Sequence, residues 1–235
     1  MRLALFDLDH TLIPFDSGMA WTRFMVRRGV LASDAQVQYL ATCRRYVAGT
    51  LDIHALHRAT VATLGHCSRT ELARWLREFQ SEIAPQVPRA ALALVQSHRD
   101  AGHRCVIVTA TSHLVAEPFA RLFGVSDLLA TRSATADGLP GGALTGEIDG
   151  DPCYRQHKVT RVNQWLATAQ PAVQPAIQPG GLPAGLADCE QSWFYSDSIS
   201  DIPLLDAVSH PVAVRPDDRL RAHALRAGWA VLDWA

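Results

Sequence analysis

Two aspartates stand two residues apart near the start of the chain, in Phe6-Asp7-Leu8-Asp9-His10-Thr11-Leu12. On an extended chain, positions i and i+2 face the same way, so the two carboxylates repel each other unless a cation lies between them. The preceding Leu3-Ala4-Leu5-Phe6 reads as a buried strand, which puts the acids at its C-terminal edge, where parallel α/β sheets bind ligands. The plainer reading is a turn with two solvated aspartates, and the cost of unpaired acids at a buried edge weighs against it. A second acidic cluster, Tyr195-Ser196-Asp197-Ser198-Ile199-Ser200-Asp201, follows another apolar run. Taken alone, Asp197 and Asp201 could be a helix N-cap pair. Together with Asp7 and Asp9 they supply an all-oxygen site for a hard cation that keeps several waters, favouring Mg²⁺ over Zn²⁺.

Lys158 is informative through composition. It is the only lysine, and every other one of the 22 basic residues is arginine. A compact ammonium kept in so Arg-biased a chain suggests a place where the guanidinium fork does not fit, such as a point charge shared by a phosphoryl oxygen and a carboxylate. The alternative is a surface lysine at a helix start. Thr109 closes the apolar run Val106-Ile107-Val108 and precedes Ala110, Thr111 and Ser112. A hydroxyl beside free backbone N–H groups at a helix N-terminus is an anion site.

The elements that must hold these groups follow from periodicity. After the first strand, residues 16–84 show helical spacing, with amphipathic segments near 19–29, 33–48, 52–64 and 69–83 and Ser33, Asp52 and Ser68 as N-caps. From Pro88 onward helix and strand alternate: a helix over 88–101, a strand over 104–110, a helix over 112–123, a strand over 128–131, a hairpin within 132–152 and a helix over 156–168. A strand at 193–196, a helix at 199–208, a strand at 211–214, a helix at 217–227 and a last short strand complete the pattern. Alternation of this kind predicts βαβ units. The expected architecture is α/β: a Rossmann-like parallel-sheet core (1–14 and 86–235) with an inserted all-helical cap (15–85). Residues 170–191, with three Gln-Pro steps, read as a flexible surface linker within the core.

Composition narrows the function classes. Hydrophobic residues make up 48% and charged residues 19%, enough to bury a core, and the net charge of −1 offers no cationic field for nucleic acid or a membrane surface. The N-terminus lacks the pattern of a signal peptide, and no segment approaches the ~18 apolar residues of a membrane span. The five cysteines include no CxxC pair, which predicts free thiols in a reducing, cytoplasmic setting.

In this order, the segments DLDHTL, VIVTATS, the lone Lys158 and SDSISD resemble the haloacid-dehalogenase-like hydrolase superfamily, in its phosphoserine-phosphatase-like branch, over nearly the whole chain. The resemblance implies that Asp7 is a nucleophile forming an aspartyl-phosphate, and that Asp9 is the general acid for the leaving alcohol and then the base for water. It implies Mg²⁺ held by Asp7, the backbone carbonyl of Asp9 and Asp197, with Asp201 in support, and phosphoryl oxygens held by Thr109 and Lys158. Presence of the second Asp separates phosphatases from dehalogenases in this superfamily. The cap carries no lysine for a Schiff base, which disfavours phosphonatase chemistry.

The motifs depart from the branch at two places. Ser200 stands where an Asn is usual, and Thr109-Ala110-Thr111 replaces the usual SGG of the phosphate loop. Both leave phosphoryl chemistry intact and weaken a specific expectation of phosphoserine. Asp16, nine residues after Asp7, matches the offset of a Glu that grips the substrate amine in phosphoserine phosphatases, although it could equally cap a helix. Arg58 aligns loosely with their carboxylate-binding Arg. The resulting expectation is a small phosphorylated metabolite, phosphoserine- or histidinol-phosphate-like, contacted by Asp16, Arg58, Ala110, Thr111 and Ser200. A phosphotransferase using an alcohol acceptor would share every catalytic residue, and a non-enzymatic binding protein could occupy the same scaffold. His54 and His57 read as one face of a lid helix rather than a metal site.

Overall fold

The computed structural model describes residues 1–139, 142–168 and 184–233. Six parallel strands form the main sheet: β1 (Arg2–Phe6), β2 (Arg104–Ser112), β3 (Asp127–Thr131), β6 (Gln191–Ser196), β7 (His210–Val214) and β8 (Ala230–Leu232), in the order β3-β2-β1-β6-β7-β8. Between β3 and β6 lies an antiparallel hairpin, β4 (Ser133–Thr135) with β5 (Leu144–Ile148). The helices are α1 (Ser17–Arg27), α2 (Ala35–Val47), α3 (Ile53–Val61), α4 (Arg69–Ile83), α5 (Arg89–Asp100), α6 (His113–Leu122), α7 (Gln156–Thr168), α8 (Ile202–Leu205) and α9 (Asp218–Ala227).

Residues 3–6 of β1 and 105–108 of β2 are unbroken apolar runs because both faces of the sheet are covered there. Ala4 and Phe6 of β1, with Cys105 and Ile107 of β2, join a core closed by Trp21, Phe24, Phe79 and Phe119. The intervening Leu3, Leu5, Val106 and Val108 face a second core with Val162, Leu166, Phe194 and Leu220. Strand order places β1 between β2 and β6, so the chain leaves β1 toward one side and later returns to the other. That reversal opens a crevice at the carboxyl ends of β1 and β6, where the two acidic clusters sit.

Four helices stand between β1 and α5. Their starts follow local capping chemistry: Asp52 accepts from Ala55 N–H, and Ser68 forms a reciprocal capping box with Glu71. Ser33 does not cap α2. Asp34 occupies that place with helical backbone angles, makes no capping bond and accepts instead from the Gln38 side chain. The end of α3 and the hairpin approach backbone to backbone. A Cβ on Gly146 would lie 2.7 Å from Ala62 Cβ, and one on Gly65 would lie 2.4 Å from the Leu144 carbonyl.

Three other expectations change in detail. β2 holds Thr109 and Ala110 as expected and continues across a register shift against β3 to Ser112, so Thr111 and Ser112 belong to the strand rather than to a helix start. The helix expected over 199–208 is a single 3-10 turn followed by α8, which ends at Leu205. The linker reading fails over residues 184–191: Leu186 is buried in the second core within a 3-10 turn, and Gln191 opens β6. Apolar Leu186 anchors a stretch whose composition otherwise reads as spacer. Residues 170–183 of that expectation lie outside the described residues.

Candidate active site

Asp7 follows β1 directly, and its N–H donates to the Tyr195 carbonyl (2.9 Å), fixing its backbone against β6. The side chain is buried. Its Oδ1 accepts from Lys158 Nζ at 2.8 Å, and Oδ2 lies 3.4 Å from Thr11 Oγ1. Lys158, on the first turn of α7, is 2% exposed and also donates to Asp201 Oδ2 at 2.7 Å. Burial alone would favour a neutral amine, but Asp201 and Asp7 together hold the ammonium well above its ordinary range. A solvated surface position for this lysine is thereby ruled out.

Asp197 and Asp201 come from the loop after β6. Asp197 N–H donates to Thr11 Oγ1 (3.0 Å), whose hydroxyl lies 3.1 Å from Asp197 Oδ1. Thr11 thus ties the two acidic loops together. Asp201 Oδ2 also accepts from Ser196 Oγ at 2.7 Å, while its buried Oδ1 has no partner among the described residues. Asp9 turns toward the helices instead: Oδ1 accepts from Ser17 N–H (2.7 Å) and Oδ2 from Thr111 Oγ1 (2.5 Å).

Charge is out of balance here. Asp7 and Asp201 share one lysine, and Asp197 beside them makes no ion pair among the described residues. Burial pushes Asp7 up to about 6, with Lys158 opposing and Asp201 adding to the rise. Asp197 rises to about 7 from burial and from Asp7. Asp9 also rises to about 7, from loss of solvent and the nearby Asp16, against the hydrogen bonds from Thr111 and Ser17. A carboxyl titrating near neutrality suits proton transfer in both directions. The excess negative charge and the orphaned Asp201 Oδ1 suit a hard divalent cation. Among the described residues no three His, Cys, Asp or Glu side chains gather as a metal-binding group, so backbone oxygen and water would complete such a site.

The remaining expected residues divide. Ala110 turns its carbonyl to Thr131 Oγ1, and Thr111 N–H donates to Thr109 Oγ1, so this segment's hydrogen bonds are partly spent within the strand pair. Ser200 lies beside Ser198, with hydroxyls 2.8 Å apart. Asp16 is the N-cap of α1: Oδ1 accepts from Met19 N–H (2.6 Å) and from Tyr39 Oη (2.9 Å). Among the described residues no donor reaches its Oδ2. Arg58 stands apart from the carboxylates, its guanidinium paired with Glu147 of β5 at 2.8 and 3.0 Å. His57 meets Ser133 Oγ at 3.0 Å and is held near 4 by burial and by His54, so it packs as a neutral ring.

Sequence reasoning assigned no role to Ser17, Tyr39 or Ser196. Thr11 could have been found from its place four residues after Asp7, whereas Tyr39 carries no local signal. Its hydroxyl reaches Asp16 only because Gly18 lacks a Cβ, which would lie 2.2 Å from that oxygen. On α2, Tyr39, Cys43 and Tyr46 follow at i, i+4 and i+7 on one face, toward Asp16, Asp9 and Tyr154. A cleft of about 810 Å³ between α4, the start of α6 and the hairpin is lined by none of the four catalytic candidates.

The model of the haloacid dehalogenase-like hydrolase family matches residues 4–206. The chain belongs to this family. Its relatives place it in the phosphoserine-phosphatase-like branch. It is 37% identical to a histidinol-phosphatase of Neisseria meningitidis, with 99% of each chain covered. It is 30% identical to a phosphoserine phosphatase of Mycobacterium tuberculosis, covering 98% of this chain and 70% of that one. A crystal structure of a Bordetella pertussis protein of unknown function superposes with a TM-score of 0.85 at 41% identity, covering 99% and 98% of the two chains. A substrate-bound phosphoserine phosphatase shares the fold, with a TM-score of 0.60 at 16% identity over 99% of this chain and 92% of that one. The protein is therefore a phosphatase-type enzyme on a Rossmann-like core. Among the described residues no helix is long and apolar enough to cross a membrane.

Proposed function

We propose that the chain is a Mg²⁺-dependent phosphomonoesterase acting in the cytoplasm on a small phosphate ester that bears an amine and no carboxylate, as histidinol phosphate does. The observation that carries the phosphoryl reading is the Lys158 bridge between Asp7 and Asp201, a buried cation fixed on the carboxylate at the sheet edge. Asp7 attacks phosphorus, and the ester P–O bond breaks as Asp9 gives its proton to the leaving oxygen. Asp9 then takes a proton from water, which attacks the aspartyl-phosphate and restores the Asp7 carboxylate with release of phosphate. Lys158 keeps positive charge against the phosphoryl group throughout, while Thr109, Ala110, Thr111 and Ser200 line its oxygens. Mg²⁺ would be held by Asp7, the Asp9 carbonyl and Asp197, with Asp201 in support, and would neutralise charge between carboxylate and phosphate.

Three points support the substrate class. Asp16 keeps Oδ2 for a cation while Tyr39 and Met19 occupy Oδ1. Arg58, the residue aligned with a carboxylate grip, is already bound to Glu147. A relative of matched length is named a histidinol-phosphatase. The test is phosphate release from histidinol phosphate, phosphoserine, a sugar phosphate and p-nitrophenyl phosphate, with Mg²⁺ and after chelation. Histidinol phosphate should give the highest kcat/KM and chelation should abolish release. A sugar phosphate as best substrate would overturn the amine reading, and full activity in chelator would overturn the metal.

A further inference from the structure

Beyond the acidic clusters, one residue that no motif singles out touches the catalytic turn more extensively than any of its neighbours in sequence. Arg215 follows β7 directly. Its Nη2 lies 2.6 Å from the His10 carbonyl, 3.2 Å from that of Thr11 and 3.3 Å from that of Ile13. Its backbone N–H donates to Leu232 O at 2.8 Å, which ties it to β8 at the same end of the sheet.

The turn it contacts is the one that aims the site. Thr11 N–H and Ile13 N–H both fold back on the Leu8 carbonyl, at 3.3 and 3.1 Å. That leaves the carbonyls of His10, Thr11 and Ile13 converging on one side, while the Asp9 and Thr11 side chains project toward their partners in the site. Converging carbonyl dipoles repel, and a cation capping them offsets that repulsion. A guanidinium suits this task because it is planar, always charged and rich in donors. His10, between Asp9 and Thr11, sits in the left-handed region at φ 57°, and Arg215 itself has φ 42°. Such conformations are costly in residues with a Cβ and persist where surrounding contacts over-determine them. The contact between the two strained residues is that over-determining element.

We propose that Arg215 is a positioning residue for the proton donor: by capping the carbonyls of His10, Thr11 and Ile13 it holds the turn that orients the Asp9 carboxyl and the Thr11 hydroxyl. The proposal rests on the reading of Asp9 as the general acid, in which the proton of its carboxyl passes to the leaving oxygen as the P–O bond breaks. Asp9 keeps its bonds to Ser17 and Thr111 only while the backbone between Leu8 and Leu12 holds this shape. A displacement of about 1 Å at a reacting group costs up to about 100-fold in rate.

The test uses the full chain and two esters: p-nitrophenyl phosphate, whose leaving group needs little protonation, and phosphoethanolamine, whose alkoxide must be protonated. Arg215→Met should lower kcat/KM, which reports the steps through expulsion of the leaving group, about 10- to 100-fold on phosphoethanolamine and leave kcat/KM for p-nitrophenyl phosphate within about threefold. Arg215→Lys should fall between wild type and Arg215→Met, and stands in if the Met variant does not fold. Hydrogen exchange of the peptide spanning residues 8–14 should quicken in either variant while β2 and β6 exchange as in wild type. An equal loss on both esters in a folded variant, or no loss and no change in exchange, overturns the proposal. Asp9→Asn separates the two levels. If that variant shows no bias against phosphoethanolamine, the general-acid reading fails, and with it any service of Arg215 to a proton donor. If Asp9→Asn shows the bias and the Arg215 variants do not, only the positioning role fails.

Discussion

Replacing Lys158 by Met removes the one cation from a cluster of buried carboxylates at nearly constant volume. The ammonium is 2% exposed and donates to Asp7 at 2.8 Å and to Asp201 at 2.7 Å. Breaking a buried ion pair by deleting one partner costs about 3–5 kcal/mol, because a charge is left without compensation. The structure also bounds the loss. Asp7 is already raised from 3.8 to about 6 with the lysine in place, so without it the carboxyl stays protonated in the folded state to still higher pH. Holding one such proton costs about 1.4 kcal/mol for each pH unit above the unfolded value. That amounts to ~5 kcal/mol at pH 7.5 and ~2 kcal/mol at pH 5.5, of which wild type, with Asp7 at about 6, already carries ~3 and ~2 kcal/mol, so Asp7 adds up to ~2 kcal/mol to the deficit at pH 7.5 and almost nothing at pH 5.5. The sign follows from proton counts. With a folded pKa above the unfolded one, the native variant binds more protons than the unfolded chain between the two values, so its stability falls as pH rises through that window. Urea unfolding in chelator, followed by circular dichroism at pH 5.5, 6.5 and 7.5, should show a deficit against wild type that grows with pH while the m-value stays constant. A deficit below about 1 kcal/mol at pH 7.5, or one independent of pH, would refute the account of Lys158 as the compensating charge.

Asp7→Asn should abolish turnover and leave the circular dichroism unchanged, since the amide keeps the shape and is a poor nucleophile; measurable phosphate release would contradict the covalent mechanism. Asp16→Asn keeps an acceptor for Met19 N–H and Tyr39, so stability should hold. Binding of an aminated substrate should weaken by about 1.5–3 kcal/mol with p-nitrophenyl phosphate unaffected, and equal losses on both would assign Asp16 to capping alone. His98, between Tyr195 Oη and His103 and lowered from 6.5 to about 4 by burial and by His103, is neutral in the fold. Its contribution should be whole above pH 6.5 and fade as pH falls toward 4, by about 2 kcal/mol. His98→Gln should flatten the acid side of a stability–pH curve, and an unchanged curve would count against it.

The carboxylates of the candidate site were legible because their placement is local. Asp7 and Asp9 leave one strand end, and Asp197 and Asp201 share one loop, so spacing puts each pair at the carboxyl edge of the sheet, although the Asp9 side chain turns to Ser17 and Thr111 rather than lying with Asp7. Lys158 was legible for a different reason, since a lone lysine in an arginine-rich chain stands out by composition alone. Helix α4 was legible to the residue because Ser68 and Glu71 form a capping box. What escaped was set by contacts distant in sequence. Arg58 meets Glu147 across the fold, which no pattern near either residue announces. Tyr39 reaches Asp16 only through the space left by Gly18. Arg215 follows an unexceptional strand, and its role depends on carbonyls some 200 residues earlier. Ser33 and Asp34 are adjacent residues of equal capping propensity, so sequence could not rank them.

The same packing decides which helix can most cheaply uncover the site. α1 and α4 belong to the aromatic core with the sheet: Trp21 meets Phe79 at 5.1 Å between centroids, and Phe79 meets Phe119 of α6 at 5.8 Å. Moving either helix exposes several large rings, at about 1.5–3 kcal/mol each. α3 is locked to the hairpin by the close approaches at Gly65 and Gly146 and by the Arg58–Glu147 pair. α2 differs from all three. Tyr39 is its one buried residue, and Val37 and Val47 lie open on its outer side, 71% and 85% exposed. Lifting α2 therefore costs the burial of one tyrosine, its hydrogen bond to Asp16 and the Tyr46–Tyr154 ring contact, together of the order of a few kcal/mol. Yet the face it turns inward, Tyr39, Cys43 and Tyr46, looks onto Asp16, Asp9 and Tyr154. The element held most weakly is the one that faces Asp16 and Asp9 of the candidate site. Because Tyr39 grips the same Asp16 that would bind a substrate cation, a ligand amine on Oδ2 and the closure of α2 on Oδ1 draw on a single carboxylate, and each holds it in place for the other.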